Sequence, residues 1–424
     1  MDVTAAQALV RFGLGPRAEE APPGDPRSWL RRQLQTQAAS DGPTSTEGLE
    51  ALRADREEKP LPQKSRSRAL FIRDARAAIT AALTTEAPFR ERLVWFWANH
   101  FTVSVRRGQC AALIGPFIAE AIRPHVTARF ADMLLAVMRH PAMLLYLDNA
   151  GSVGPDSPVG QRTHRGLNEN LARECLELHT VSPAAGYTQA DVTSFARVLT
   201  GWSIDLQQSP PGFRFRPFTH EPGAKIVMGR TFPEGEEGGI EALAFLAAHP
   251  ATHHHLALKL TRHFVADDPP PAAVRLVEGR LRDTDGDLGA AAAALLDIPQ
   301  AWQSDTKIRT PADFLIAAGR ATGMSDAPER ALGAMRMLGQ PMWAAPQPDG
   351  WPDRAADWLS PEAMLRRADV AYAIAGMQAE PDPSQLAEAL GPLVRPATLS
   401  AVQHAGSRRE ALALLLAAPE FQRR

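Results

Sequence analysis

Apolar positions recur with helical spacing along most of the chain, and only short stretches alternate with a period of two. Because an apolar face that repeats about every 3.6 residues is typical of an α-helix, the pattern predicts a mainly α, multi-helix globular body. Thr188 followed by Asp191 predicts a capping box, with Gly201 as the expected end of that helix. Thr310-Pro311 and Ser360-Pro361 each place a cap residue before a proline at the first helical position.

The clearest β pattern is confined to one short region. Residues 213–216 and 225–229 alternate as strands do, and the turn-rich segment 219–223 separates them. This arrangement predicts a small β-hairpin excursion from the helical body.

Three regions follow from the distribution of these patterns. Residues 1–68 are expected to form an N-terminal helical arm with a polar linker, since 41–67 is charged and contains proline. Residues 69–300 are expected to form a central helical body, and residues 301–424 a set of C-terminal helices packed on it.

A proline-rich segment from Gly339 to Asp353 interrupts the C-terminal helices and carries Trp343 and Trp351. Long ordered loops have a function more often than short ones do. We therefore expect this loop to line or close a pocket over the polar helix described below, with Trp351 at the pocket rim.

Composition narrows the classes of function. Of 424 residues, 45% are hydrophobic and 22% charged, and the net charge is -2, so there is no electrostatic reason to expect nucleic acid as a partner. No apolar run approaches the ~20 residues that span a bilayer. The N-terminus lacks the pattern of a signal peptide, which predicts a cytoplasmic protein, or a periplasmic one if a leader was removed. The two cysteines cannot form a disulfide framework.

The segment from Asn168 to His179 has unusually polar chemistry for a helix. One stripe contains Asn170, Arg173, Glu174 and Glu177, and a second contains Asn168, Cys175 and His179. The structural interpretation is a largely buried Arg173–Glu177 ion pair, with Asn168 and Asn170 in the same network. The functional interpretation is that Glu174 or Glu177 has a raised pKa and acts as an acid or base.

Three histidines and one aspartate are further candidates. His100 shares a helix face with apolar residues, so it is either a core histidine bonded to a carbonyl or carboxylate, or a metal ligand or base. His179 has the same two interpretations, although the end of a helix favours a protonated imidazole. His220 lies in a turn, where histidines are usually solvated, and Asp148 either caps an element or presents a carboxylate to a cleft.

A metal site would have to be assembled from distant segments, because the chain has no compact metal motif. The candidate ligands are His100, His179 and His220 together with the carboxylates of Glu174 or Glu177, a mixed set suited to iron, manganese or zinc. The adjacent histidines 253–255 point in different directions on a helix; we expect His253 to pack and the other two to be solvated.

Several long motifs carry a resemblance to a known family. They are Trp95–Phe101, Pro141–Asn149, Asn168–Thr180, Gly186–Val192, Leu199–Trp202, Lys259-Leu260, Phe264–Pro270, Thr310-Pro311, Leu338–Pro341 and Gly350–Pro352. Over nearly its whole length, the chain resembles the bacterial family called domain of unknown function 1800. The resemblance implies kinship with proteins that are often exported, and it implies no particular reaction.

Two classes of function remain open. The leading hypothesis is an enzyme of unassigned reaction and unknown substrate, in its most specific form a metal-assisted oxidation or hydrolysis. Its catalytic candidates are Glu174, Glu177, His179 and Asp148. The alternative is a non-catalytic scaffold or partner protein in which the Asn, Arg, Glu and His network is structural.

Overall fold

A computed structural model of the chain describes residues 2–17, 20–36, 42–304, 306–324, 328–377 and 382–424. Within these ranges the protein is mainly α-helical with two small antiparallel sheets, which confirms the predicted fold class. The helices of the first half are α1 (Val3–Gln7), α2 (Pro26–Leu34), α3 (Ser45–Glu58), α4 (Arg66–Thr84), α5 (Pro88–His100), α6 (Ile114–Phe117), α7 (Phe130–Arg139), α8 (Pro141–Tyr146), α9 (Pro158–Thr163), α10 (Asn170–Glu174) and α11 (Gln189–Val198). Those of the second half are α12 (Glu236–Ala248), α13 (Pro250–Phe264), α14 (Pro271–Asp283), α15 (Leu288–Leu295), α16 (Pro311–Ala321), α17 (Pro328–Met337), α18 (Pro361–Met377), α19 (Pro383–Leu390), α20 (Pro396–Gln403) and α21 (Arg408–Ala417).

The helix starts that were expected from local sequence are present. Thr188 and Asp191 form the capping box of α11, in which each side chain accepts a hydrogen bond from the other residue's backbone N–H. Thr310 caps α16 through the backbone N–H of Asp313, and the Ser360 hydroxyl accepts from Ala363 at the start of α18. These predictions are confirmed because a cap depends only on residues within one helical turn.

The β region forms two hairpins, so the predicted pairing of 213–216 with 225–229 is wrong. Strand β1 (Trp202–Asp205) pairs with β2 (Gly212–Phe215), and β3 (Lys225–Val227) pairs with β4 (Arg230–Phe232), both antiparallel. Met228 and Gly229 have φ values of 48° and 78°, as a two-residue hairpin turn with positive φ requires, so β3 closes onto the strand that directly follows it.

The polar segment 42–67 is also more regular than expected. The helix α3 occupies most of it, with Thr44 as the N-cap and with Leu49 and Leu52 buried on one face. Its many charged residues lie on the opposite face. Because charged residues dominate this segment, its composition alone does not indicate the short apolar face of an amphipathic helix.

Two hydrophobic clusters form the interior. The main core contains buried residues of α5, α7, α8, α10–α13 and α15. The second core contains residues of α4, α16, α18 and α21, together with Val10 and Leu14 near the N-terminus. Among the described residues, no helix combines the length and the apolar character needed to cross a bilayer.

Candidate functional site

The polar helix changes geometry halfway along its length. After α10, residues Cys175–His179 continue as a π-helical turn that ends at Thr180. Carbonyl groups at the end of a helix have no partner within it, and π turns are frequent at functional sites. Here the carbonyls of Leu178 and His179 lie 3.0 Å from His255 Nε2 and 3.2 Å from His100 Nε2, respectively.

These two contacts determine which nitrogen of each imidazole carries the hydrogen. Because a carbonyl oxygen only accepts, Nε2 of His100 and of His255 must carry the hydrogen, and Nδ1 of each ring is left as a proton acceptor when the ring is neutral. In the described part of the molecule, the Nδ1 atom of His100 is buried without a hydrogen-bond partner, and so are both ring nitrogens of His179. Unpartnered polar atoms in the interior are costly, and they mark a place where a ligand or water would bind.

Burial keeps this group of rings uncharged. The pKa of His100 lies well below its ordinary value because of burial and the neighbouring Lys259. Burial lowers the pKa of His179 to about 3 and that of His255 to about 4, with Lys259 contributing in both cases. The expected protonation of His179 by the helix C-terminus is therefore wrong, since desolvation of a buried charge outweighs a helix dipole.

Lys259 lies one helical turn after His255 on α13 and lines a pocket. Its ammonium group has no hydrogen bond or ion pair with any residue that the structure describes. Burial lowers the pKa of Lys259 to about 8, and Arg262 adds to this effect, while the carboxylates of Asp349 and Asp353 oppose it. A substantial fraction of this amine is consequently neutral near physiological pH.

The pocket lies between α5, α13 and the proline-rich loop, with a cavity volume of about 340 Å³. Its apolar wall includes Phe96, Val103, Met342, Trp343 and Trp351. This size and lining are typical of sites for small organic ligands.

The proline-rich loop is fastened to the end of α5 beside His100. The Asn99 side chain donates to the carbonyl of Trp351 at 2.9 Å and accepts from the backbone N–H of Trp351 at 2.8 Å. Gly350 has a φ of 85°, and a Cβ at this position would lie 2.5 Å from the carbonyl oxygen of Asn99. The loop therefore approaches α5 so closely that only glycine fits. The Ser104 hydroxyl donates to the carbonyl of Ala345 at 2.8 Å and attaches the loop at a second position.

Most other charged groups on the pocket wall are neutralised by one another. Arg92 lies 3.0 Å from Asp313, and Arg424 bridges Asp313 at 3.4 Å and Asp353 at 3.3 Å. The Asp353 carboxylate also lies 2.9 Å from His263 Nδ1. This network joins α5, α13, α16 and the proline-rich loop below the pocket.

The predicted acid–base helix lies close to the same loop. Burial raises the pKa of Glu174, with further contributions from the carboxylates of Glu177 and Asp349, so Asp349 is near both Glu174 and Lys259. The expected Arg173–Glu177 ion pair is wrong: Arg173 lies 2.9 Å from Glu169, with its side chain 38% exposed.

The two asparagines do not form the predicted network with Arg173. Asn170 is exposed, and its backbone N–H donates to the side chain of Asn168 at 2.9 Å. Asn168 instead lines a second pocket together with Asp148, which forms an ion pair with Arg107 at 2.5 Å. Asp148 has a φ of 57° and does not line the Lys259 pocket.

His220 lies in a separate cluster and is buried, so the expected solvated turn is wrong. Its Nδ1 donates to the carbonyl of Thr200 at 2.7 Å, and its Nε2 accepts from Lys225 and from the backbone of Gly235, both at 3.0 Å. The structure thus brings His100 and His179 together, with ring centroids 5.9 Å apart, and it gives His220 other partners. Across the described ranges, no group of three or more His, Cys, Asp or Glu side chains is arranged to hold a metal ion.

Two residues of the site, His255 and Lys259, were not predicted from the sequence. His255 was expected to be solvated, whereas it is half-buried and bonded to Leu178. Lys259 could have been found from amino-acid usage, because the chain has only five lysines among its 46 Lys and Arg residues. Where arginine supplies nearly all positive charge, a lysine between leucines in a helix, as in Leu258-Lys259-Leu260, is a candidate for amine chemistry.

Comparison with known proteins places the chain in a family. The chain belongs to the family described as protein of unknown function (DUF1800), whose model matches residues 7–423. A search of curated proteins and a search of solved structures found no match. Five motifs of the family resemblance contribute residues to the pocket: Trp95–Phe101, Lys259-Leu260, Thr310-Pro311, Leu338–Pro341 and Gly350–Pro352.

Proposed function

We propose that the chain is an enzyme whose reaction takes place in this pocket, with the side-chain amine of Lys259 as its reactive group and Nδ1 of His100 as a proton acceptor. The observation that carries this proposal is that Lys259, at the pocket wall, has no hydrogen bond or ion pair with any residue in the described ranges. Lys259 is half-buried at the pocket wall, whereas a structural lysine would normally be paired with a carboxylate or extend to the protein surface. An amine in an apolar pocket is in the environment that activates catalytic lysines.

The neighbouring residues support a role in proton transfer. The carbonyls of Leu178 and His179 orient two neutral imidazoles, and their Nδ1 atoms can accept protons. Glu174, whose pKa burial raises, lies near Asp349 and is the proposed second acid–base group. In a scaffold protein, unpartnered polar atoms at this position would only destabilise the fold.

Competitive acetylation with trace acetic anhydride tests the reactive amine. We expect the acetylation rate of Lys259, measured by peptide mass spectrometry from pH 6 to 10, to rise through a midpoint near the pKa of about 8. The exposed amines of Lys59 and Lys64 provide the internal comparison. A Lys259 that is unreactive, or that titrates together with these two lysines, would contradict the proposal.

Turnover is tested with a mixture of small metabolites analysed by mass spectrometry. We expect wild-type protein to consume at least one compound, and Lys259→Arg, which keeps the charge, to consume none. Lys64→Arg is the matched control and should behave like wild type, because Lys64 is exposed. Equal behaviour of wild type and Lys259→Arg would instead favour the scaffold alternative.

A further inference from the structure

We infer that the substrate of this pocket is an uncharged aldehyde or ketone with an apolar body, whose carbonyl carbon forms an imine with Nζ of Lys259. This inference rests on the proposed function and names its substrate class. It follows from the charges around Lys259, from the pocket wall and from the orientation of His100.

The charges around the pocket do not suit an anionic ligand. Arg92 is paired with Asp313, and Arg424 with Asp313 and Asp353, so neither guanidinium is available to a carboxylate or phosphate. Arg262, which also lines the pocket, donates through Nε to the carbonyl of Asp267 at 3.2 Å and is the one pocket arginine among these three without a carboxylate partner in the described residues. The exposed carboxylate of Asp349 lies at the rim near Lys259 and repels anions. A binding site for an anion normally presents several donors without a nearby carboxylate.

Most of the surroundings of Lys259 favour its neutral, nucleophilic amine, and two carboxylates oppose this effect. His100 on α5, His179 at the end of the π turn and His255 on α13 are neutral and carry no charge that would stabilise an anion. Arg262 on α13 disfavours a second positive charge, whereas Asp349 and Asp353 on the loop favour it. Burial is the largest effect, and it favours the neutral amine.

The wall of the pocket is suited to an apolar body. Phe96, Met342, Trp343 and Trp351 lie on the same pocket as Lys259 and provide aromatic and thioether surface. A molecule with no charge of its own would be held by this surface, and its polar carbonyl would be directed to the amine.

The reaction step balances with groups that are present. The lone pair of Nζ attacks the carbonyl carbon, a C–N bond forms, and the C=O π electrons move to oxygen, which takes up the first of the two amine protons to give a carbinolamine. The C–O bond then breaks while C=N forms, and the second amine proton passes to the departing hydroxyl group, which leaves as water. Nδ1 of His100, which lines the same pocket and has no partner among the described residues, can relay these protons from nitrogen to oxygen. One amine and one carbonyl compound give one imine and one water, without oxidation or reduction.

Reductive trapping on the full chain tests the inference. The protein is incubated at pH 7 with benzaldehyde and sodium cyanoborohydride, which reduces imines in preference to the free aldehyde, and the benzylated lysines are quantified by peptide mass spectrometry. Because each unit of pKa lowering raises the neutral fraction about tenfold, we expect at least about tenfold more adduct on Lys259 than on Lys59 or Lys64. The adduct at residue 259 should disappear in Lys259→Arg and persist in Lys64→Arg.

A parallel incubation with glyoxylate, an anionic aldehyde, tests the charge preference. We expect less Lys259 adduct from glyoxylate than from benzaldehyde. A preference for glyoxylate, or equal adduct on Lys259 and the exposed lysines, would overturn the inference. The comparison among lysines is made within wild-type protein, so it does not depend on the folding of a variant. If acetylation shows a reactive Lys259 that benzaldehyde does not trap, the substrate class is wrong while the proposed function stands.

Discussion

The imidazoles of His100, His179 and His255 are neutral for one physical reason, the loss of solvation on burial. His179 is the extreme case, because it is 1% exposed and neither ring nitrogen has a partner among the described residues. A charged imidazole would be less stable there than in water. The stability of the fold at acidic pH therefore depends on these histidines of the site.

Acidification is expected to destabilise the protein through His179. In the unfolded chain this group binds a proton near pH 6.5, whereas the folded chain keeps it neutral down to about 3. The contribution of His179 to the free energy of unfolding is therefore fully present above pH 6.5 and is lost as the pH falls from 6.5 toward 3. Between pH 7 and 5 the loss should be about 2 kcal/mol.

Urea denaturation at pH 7 and pH 5 measures this loss. In His179→Gln, the difference between the free energies of unfolding at pH 7 and pH 5 should be smaller by about the same amount. It should remain in His404→Gln, since His404 is exposed. An unchanged pH dependence in His179→Gln would show that His179 is not held neutral.

At the scale of elements, the proline-rich loop is positioned by α5. The side chain of Asn99 binds both backbone groups of Trp351, and Gly350 lies against the carbonyl of Asn99. Because His100 directly follows Asn99, the loop and the His100 imidazole are positioned by the same turn of helix. Any change that displaces the loop should therefore alter the pocket.

Gly350→Ala is expected to displace the loop and to destabilise the fold by about 1–3 kcal/mol more than the matched variant Gly339→Ala. Both glycines have nearly the same φ, 85° and 84°, but a Cβ at Gly339 would meet nothing within 4 Å. The difference between the variants thus isolates the steric contact with Asn99. Urea denaturation followed by tryptophan fluorescence measures it, and equal effects would contradict the close approach.

At the scale of the whole molecule, a buried ion network connects the two cores. Arg92 lies on α5 in the main core, and Asp313 lies on α16 in the second core. Trp343 packs against both cores. The pocket lies along this junction, so its geometry depends on how the two cores are joined.

Asp313→Asn should destabilise the protein by about 3–5 kcal/mol, because Arg92 and Arg424 would then be buried with less compensating charge. Their side chains are only 3% and 0% exposed. Asp283→Asn is the matched control: its ion pair with Arg282 is 64% exposed, and we expect no measurable change. Thermal and urea unfolding measure both variants, and a similar small effect in each would show that the network contributes little.

The sequence by itself determined the features that depend on neighbouring residues. The helical class and the caps at Thr188, Thr310 and Ser360 follow from spacing within one or two turns. A long proline-rich loop with tryptophans is also a local pattern, and Trp351 lines a pocket formed with α5 and α13; the position of that pocket over the polar helix stays a prediction. Such features are encoded where they occur, so they can be read without the fold.

Only the tertiary structure decided partners and burial. The pairing of Arg173 with Glu169, the burial of His220 and the contact of His255 with Leu178 all depend on which distant segment covers a residue. The lowered pKa of Lys259 is of the same kind, since it reflects burial in a pocket that is lined by segments remote in sequence. Electrostatic state is a property of the surroundings in space, and residue spacing along the chain does not specify it.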